Sequence, residues 1–191
     1  QTAMQVLRSH YHDETDPART GMKSLCVHAS GMTTPSQTTG SMVAELRPKG
    51  KSTYWFTGTA APCISVFKPF FIPGKNLAVG KFTEPGAKAD DSLWWRHEKL
   101  HRMALKNLTA AGEYFLAERN AFEDELVRAE ISVYKKPAAV REKFVRAAWE
   151  QADQLLTRWT ERVKSAKLRS AFHPLYRRYW NKQNKKVAIN I

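Results

Sequence analysis

Short apolar runs, separated by glycine, proline and threonine, fill the chain up to about residue 89. β-Branched and aromatic residues are frequent in these runs, which predicts a small, mostly antiparallel sheet. In the second run the residues alternate in the manner of a strand with one buried face. The predicted strands are Leu25–Ala29, Met42–Arg47, Thr53–Thr59, Ile64–Ile72 and Asn76–Phe82.

After about Ala89 the apolar residues recur at spacings of three and four, which predicts helices. Side-chain acceptors at Asp90–Ser92 place the start of the first helix there, and it is predicted to run to about Asn107. A second helix is predicted over about Glu113–Tyr134. The chain therefore changes from strands to helices near its middle.

A third helix is predicted from Pro137, because proline suits the first turn of a helix. Its apolar stripe from Val140 to Ala166 lasts for about seven turns, so this helix must pack along a partner. Pro174 breaks the pattern, and the basic, aromatic tail Leu175–Ile191 is predicted to be peripheral.

Strands followed by segregated helices predict an α+β fold, without the alternation of a parallel α/β protein. The length of 191 residues is enough for one domain with its own core. Within that single domain, residues 1–89 form the β-rich part and residues 90–191 the helical part.

The net charge is +13, from 31 Lys and Arg residues against 18 Asp and Glu residues. Such an excess raises the question of an anionic partner, with Trp180, Tyr176 and Tyr179 as candidate stacking groups for nucleic acid. Much of the charge, however, lies opposite the apolar stripe of the third helix, where a solvated face belongs. A solvated face is the favoured interpretation, and a basic nucleic-acid-binding or interaction module is the alternative.

Cys26 and Cys63 are the only cysteines, which is too few for a disulfide framework. A reducing compartment, such as the cytoplasm, is therefore favoured. Cys26 and His28 would share one face of a strand, but two ordinary sheet residues is the favoured interpretation. No apolar run reaches the roughly 20 residues that cross a bilayer, so no membrane association is expected.

The string His97-Glu98-Lys99-Leu100-His101 matches the HExxH pattern of zinc proteases. On a helix both histidines would lie on one face, and Glu98 could act as base to a zinc-bound water. Neighbouring cations, Arg96 and Arg102 among them, argue against a dication here. The favoured interpretation is that no metal is bound, with His97 on the apolar stripe and Glu98 paired with Arg102. A zinc metalloprotease using His97, Glu98 and His101 remains an alternative.

The run Ser65–Phe71 contains Lys68 on the same face as apolar neighbours. A lone ammonium there needs a partner or a route to water, and a side chain that reaches past its neighbours to solvent is favoured over a counterion for a substrate carboxylate. Pro69 cannot donate to a ladder, so this strand is predicted at an edge or bulge of the sheet.

Four blocks along the chain together resemble the secernin and dipeptidase family of amino-terminal-nucleophile hydrolases. Their order matches that of the family, and they extend over about 80 residues with a compatible helical tail. The blocks are Leu25-Cys26-Val27-His28-Ala29, Thr38-Thr39-Gly40-Ser41-Met42-Val43, Ser65-Val66-Phe67-Lys68-Pro69-Phe70, and Leu93-Trp94-Trp95-Arg96-His97-Glu98 with Leu100-His101-Arg102.

The resemblance implies a layered αββα sandwich, of which this chain is the carboxyl-terminal part, and hydrolysis of a dipeptide or small amide. In that family the nucleophile is an amino-terminal cysteine whose own α-amine serves as the base. The first residue here is Gln1, so no catalytic residue is carried over and the chain alone is expected to be inactive. By the same resemblance, Ser65 and Lys68 are the substrate-binding candidates, and no cofactor is expected.

A sandwich without its amino-terminal half would expose strand edges and an apolar face. We therefore expect this chain to self-associate or to pair with the missing half.

Overall fold

Helices dominate the part of the chain that the computed structural model describes, namely residues 2–31, 34–72, 82–170 and 173–191. Within these residues there are three strands in one antiparallel sheet and six helices, so the α+β prediction is confirmed. The strands are β1 (Met42–Glu45), β2 (Thr53–Phe56) and β3 (Lys68–Phe71). The helices are α1 (Thr2–Leu7), α2 (Leu93–Ala104), α3 (Leu108–Gly112), α4 (Leu116–Val133), α5 (Ala138–Ser165) and α6 (Pro174–Lys186), with one 3₁₀ turn at Tyr11–Asp13.

The sheet has the order β1-β2-β3, and β2 lies at its centre. Trp55 of β2 is buried and pairs with Pro69 of β3 and Val43 of β1. Because β3 has no second neighbour among the described strands, Pro69 lies on an edge strand, as its missing N–H requires.

One of the predicted strands is absent, three are shorter than predicted, and one cannot be compared. Leu25–Ala29 is irregular, since Val27 exchanges hydrogen bonds with the side chain and backbone of Thr38 instead of with a strand. Ile64–Ile72 is shortened to β3, because the backbone N–H groups of Ile64 and Ser65 turn back onto the Ala61 carbonyl. Asn76–Phe82 lies outside the described residues up to residue 81.

Side-chain caps set the starts of the first two helices after the sheet. Ser92 caps α2 by accepting from the N–H of Trp95, as predicted. Asn107 does not end α2 but caps α3, accepting from the N–H of Ala110 at 3.1 Å. The predicted first helix therefore ends three residues earlier, at Ala104, and α3 lies between the first and second predicted helices.

The core forms where α5 lies across α2 and β3. Both the strand-rich and the helical parts contribute to it, so neither part has a separate core of its own. Its largest fully buried side chains include Trp159, Phe67, Phe115, Ile64 and Leu100.

The carboxyl-terminal tail is not peripheral, contrary to the prediction. It forms α6, whose first residue is Pro174, and its Tyr176 and Trp180 are buried against Ala29 and Leu105 in a second apolar cluster. In the sequence these two aromatic residues stand among basic residues, which favoured their interpretation as surface groups.

No described helix is both long and apolar enough to cross a membrane.

Helix α4 offers a matched pair of substitutions that tests the core. Leu126 is 5% exposed within the core, whereas Ile131 is 66% exposed on the same helix. We expect Leu126→Ala to lower the free energy of unfolding by about 2–5 kcal/mol through lost burial and a cavity. Ile131→Ala should change it by less than about 0.5 kcal/mol. Urea unfolding followed by circular dichroism measures both, and equal effects would contradict this packing of α4.

Candidate functional site

Three irregular segments bring two cysteines and two histidines together. His10 follows α1, Cys26 and His28 lie in the segment before β1, and Cys63 lies in the turn between β2 and β3. Of the residues that the structure describes, these four are the group of His, Cys, Asp or Glu residues that could hold a metal ion. One ligand atom from each lies within 4.8 Å of all the others.

The ring of His28 is at the centre of this cysteine and histidine cluster. Its Nε2 lies 3.7 Å from Cys26 Sγ, 3.4 Å from Cys63 Sγ and 3.2 Å from His10 Nε2. Cys26 and His28 are fully buried, whereas His10 and Cys63 are half-buried. The cluster is therefore closed on one side and approachable on the other.

A chain of hydrogen bonds continues from His28 into α2. His28 Nδ1 lies 3.2 Å from His101 Nε2, and His101 Nδ1 lies 3.0 Å from Glu98 Oε1. Glu98 also accepts from Arg102 Nε at 2.9 Å and from Gln37 Nε2 at 3.2 Å. This relay fixes the orientation of both imidazole rings in the protein interior.

The arginines Arg8 and Arg119 hold the segments around the cluster. Arg8 donates to the carbonyl of Pro62 at 2.9 Å and pairs with Glu123 of α4 at 2.5 Å. Arg119 donates to the carbonyl of Cys63. The positions of His10 and Cys63 thus depend on buried charge-assisted hydrogen bonds to and from α4.

The two thiols influence each other's protonation. A hydrogen bond from Cys63 lowers the pKa of Cys26 against the opposing effect of burial, and the neighbouring histidine rings act in the same direction as Cys63. That contact and burial both raise the pKa of Cys63. Burial lowers the pKa of His28, so this ring is neutral.

Ser65 is one of the substrate-binding candidates from the sequence. Its Oγ lies 3.1 Å from His97 Nε2. The same hydroxyl donates to the carbonyl of Ala60 at 2.7 Å. Burial, reinforced by the nearby His101, lowers the pKa of His97 to about 3, so its ring is neutral. Ser65 and His97 therefore form a neutral, buried pair.

Lys68, the other candidate, is 4% exposed and does not reach solvent, contrary to the favoured interpretation. Its Nζ donates to the carbonyls of Val66, at 2.8 Å, and Thr57. Nζ also lies 5.0 Å from the centre of the Trp149 ring. Ser65 and Lys68 are therefore close in the fold but face different partners.

The HExxH string does not bring its histidines to a common centre. His97 Nε2 faces Ser65, whereas the two ring nitrogens of His101 face His28 and Glu98. Glu98 pairs with Arg102, as the non-metal interpretation expects. Against burial, which would raise it, His101 and Arg102 lower the pKa of Glu98 to about 2.

Two of the three stacking groups proposed for nucleic acid are not available on the surface. Tyr176 and Trp180 are buried and Tyr179 is half-buried, so that expectation is wrong for the first two. Positive charge does converge elsewhere, around a cavity of about 620 Å³ beside α2 and α5. The lysines that line this cavity are Lys99, Lys106, Lys164 and Lys167.

Two smaller cavities adjoin the site. One of about 160 Å³ borders His10, Cys63 and Phe115. The other, of about 20 Å³, borders Lys68 and His97 and has room for about one water molecule.

No protein-family model, curated protein or solved structure matches the chain in sequence or fold.

The sequence suggested part of this site but missed its centre. It singled out Cys26, His28, Ser65 and His101, yet it treated the first two as ordinary sheet residues. His10 and Cys63 gave no signal, since they lie 16 and 37 residues from Cys26 in irregular segments. The one available sign was the Cys-x-His spacing of Cys26 and His28.

Burial of Lys68 gives a pH prediction. Burial lowers the pKa of Lys68 from 10.5 to about 7, although Glu123 and Asp153 act in the opposite direction. Between about pH 7 and 10.5 the unfolded chain keeps a proton that the folded chain has lost, so this group makes stability rise with pH. The free energy of unfolding of the wild type, relative to Lys68→Met, should rise by up to about 1.4 kcal/mol per pH unit over this range.

Urea unfolding at several pH values measures that difference. The exposed Lys182→Met substitution on α6 is the control and should leave the pH profile unchanged. A constant difference between the wild type and Lys68→Met from pH 7 to 10 would show that Lys68 does not titrate in this range.

Proposed function

We propose that this chain forms the scaffold and part of the substrate pocket of a secernin-like, cysteine-dependent dipeptidase. In this proposal the three-stranded sheet and the helices packed on it belong to the αββα sandwich of an amino-terminal-nucleophile hydrolase. The α+β architecture is compatible with that fold.

The observation that carries the proposal is the convergence of the four sequence blocks on one hydrogen-bond network. Thr38, which opens the second block, accepts from the N–H of Val27 and donates to the carbonyl of Leu25, both at 2.9 Å. The carbonyl of Thr38 accepts from Ala61 in the turn that leads to the third block. The first two blocks are therefore clamped together next to the third.

The fourth block completes the network from α2. His97 meets Ser65 of the third block, and His101 meets His28 of the first. Blocks that lie up to about 75 residues apart in the sequence thus form one polar site, as the parts of a catalytic pocket do.

The edge of the sheet offers a place for the rest of a larger sandwich. Among the described residues no strand pairs with the outer edge of β1, and Met42 and Leu46 are more than half exposed there. An unprotected edge with apolar side chains favours pairing with another strand.

In this proposal the nucleophile is an amino-terminal cysteine, and neither Cys26 nor Cys63 has that role. Ser65 positions the His97 ring in the pocket wall, and Lys68 positions the Thr57 and Val66 carbonyls. The partners are a peptide or small amide substrate and the amino-terminal half of the sandwich.

The proposal is tested on the mature polypeptide that contains this chain, purified from its source. We expect mass spectrometry to show cysteine as its first residue, and dipeptide hydrolysis to disappear when that cysteine is replaced by alanine. The 191-residue chain alone should show no turnover. Ser65→Ala in the active polypeptide should lower kcat/KM by about 10- to 100-fold, because a small displacement of a positioned group has effects of this size.

Ser132→Ala, on the exposed face of α4, is the matched control and should keep full activity. Turnover by the 191-residue chain alone that is lost in Cys63→Ser would place the nucleophile inside this chain. A mature polypeptide with another first residue would also overturn the proposal.

The exposed edge of β1 gives a separate expectation for the isolated chain. Size-exclusion chromatography with light scattering should find dimers or larger species, and Leu46→Lys should shift them toward monomer because charge blocks edge pairing. Ile131→Lys, on the exposed face of α4, should leave the distribution unchanged. A monomer at all concentrations would show that the β1 edge does not pair.

A further inference from the structure

The geometry points to one zinc ion bound by His10, Cys26, His28 and Cys63 in a closed tetrahedral site. Two cysteines and two histidines are the ligand set that zinc prefers in structural sites. The four side chains come from three separate segments of the chain and converge on one point.

The three distances from His28 Nε2 to the other ligand atoms agree with a tetrahedron of that size. Zinc lies about 2.3 Å from sulfur and about 2.0 Å from nitrogen, which separates ligands by about 3.5 Å for sulfur and nitrogen and by about 3.3 Å for two nitrogens. The sulfur atoms of Cys26 and Cys63 lie 3.7 and 3.4 Å from His28 Nε2. The Nε2 atoms of His10 and His28 lie 3.2 Å apart.

Hydrogen bonding assigns the proton on His10. Its Nδ1 lies 2.8 Å from the carbonyl oxygen of Glu14. A carbonyl oxygen only accepts, so Nδ1 carries the hydrogen and Nε2 of the neutral ring has a lone pair. That lone pair points toward the cluster.

The relay into α2 assigns the proton on His28 in the same way. Glu98 accepts from Arg102, and it accepts from Nδ1 of His101 as well. Nδ1 of His101 therefore carries a hydrogen, and its Nε2 is placed to accept from Nδ1–H of His28. His28 Nε2 therefore has a lone pair too.

These assignments leave two nitrogen lone pairs facing each other at 3.2 Å, next to two thiols. A cation between them would accept both lone pairs. Two thiolates also balance the charge of one zinc ion. Glu98 and His101 then act as the outer partners that orient a metal-bound imidazole.

Four protein ligands leave no position for substrate, so the proposed role of this zinc is structural. From residue 8 to residue 41 the described chain has only one 3₁₀ turn as regular structure, and a metal would hold this segment to the turn around Cys63. The site does not depend on the proposed hydrolase activity, and it is different from the HExxH string.

The test uses the 191-residue chain, purified without a chelator and freed of any affinity tag. Inductively coupled plasma mass spectrometry should find about one zinc per chain. Removal of zinc with a chelator should lower the thermal midpoint, and added zinc should restore it. Cobalt introduced in place of zinc should give the intense visible bands of a tetrahedral ion and thiolate charge-transfer bands. This measurement is made on the wild-type chain.

Variants assign the ligands. Cys26→Ala, Cys63→Ala, His10→Asn and His28→Asn should each lose the bound zinc. His12→Asn, an exposed histidine two residues from His10, and His97→Gln, in the HExxH string, should keep it. Glu98→Gln should retain the site with an affinity about 10- to 100-fold weaker.

Three results would overturn this assignment. The first is a freshly purified chain without metal that also takes up no zinc or cobalt. The second is a disulfide between Cys26 and Cys63 in that chain, shown by mass spectrometry without reduction. The third is zinc that is lost in His97→Gln and kept in His10→Asn. A missing zinc would leave the dipeptidase proposal intact, and an inactive mature polypeptide would leave the zinc site intact.

Discussion

The hydrogen bond between His28 and His101 connects the irregular amino-terminal segment to the central helix α2. Both rings are fully buried, so each ring nitrogen needs a partner inside the protein. Loss of that bond would leave two buried polar groups unpaired, at a cost of about 1–3 kcal/mol each. The rotation of α2 about its axis is constrained by this requirement, because His101 must face the cluster while Leu100 faces the core.

The need to pair buried polar groups also explains how the amino-terminal segment packs without strands. Glu123 of α4 accepts from the buried Arg8 and from the backbone N–H of Phe67, at 2.7 Å for the latter. A single carboxylate therefore satisfies the amino-terminal segment and the start of β3 together. Buried side-chain partners replace the backbone ladder that a sheet would supply.

The sequence predicted local structure well where the signal lies in nearby residues. The start of α2 at Ser92 follows from a cap, and the edge position of β3 follows from the missing N–H of Pro69. It failed where distant residues decide. The N–H of Val27 donates to the side chain of Thr38, and no local pattern shows that its partner is a side chain and not a neighbouring strand.

The prediction that Lys68 reaches solvent was wrong for a related reason. The sequence could not show that two backbone carbonyls would be within reach of its ammonium group. The centre of the candidate site was harder still. His10 and Cys63 reach the cluster only through the buried contacts of Arg8 and Arg119, which are properties of the packed fold. The HExxH string shows the opposite case. Its local pattern is typical of a zinc site, but Glu98 and His101 belong to a hydrogen-bond relay here.

The turn at Ala61–Ser65 connects the cysteine and histidine cluster with the proposed pocket. Cys63 contributes its thiol to the cluster, and two residues later Ser65 contributes its hydroxyl to His97. Ala61, at the start of this turn, has a positive φ of 53°, so the conformation of the turn carries strain that its contacts must offset. Any ligand that holds Cys63 therefore also holds Ser65 in place. His97 and His101 lie four residues apart on α2. Movement of Ser65 would therefore reach α2 through His97, and movement of Cys63 would reach it through His28 and His101.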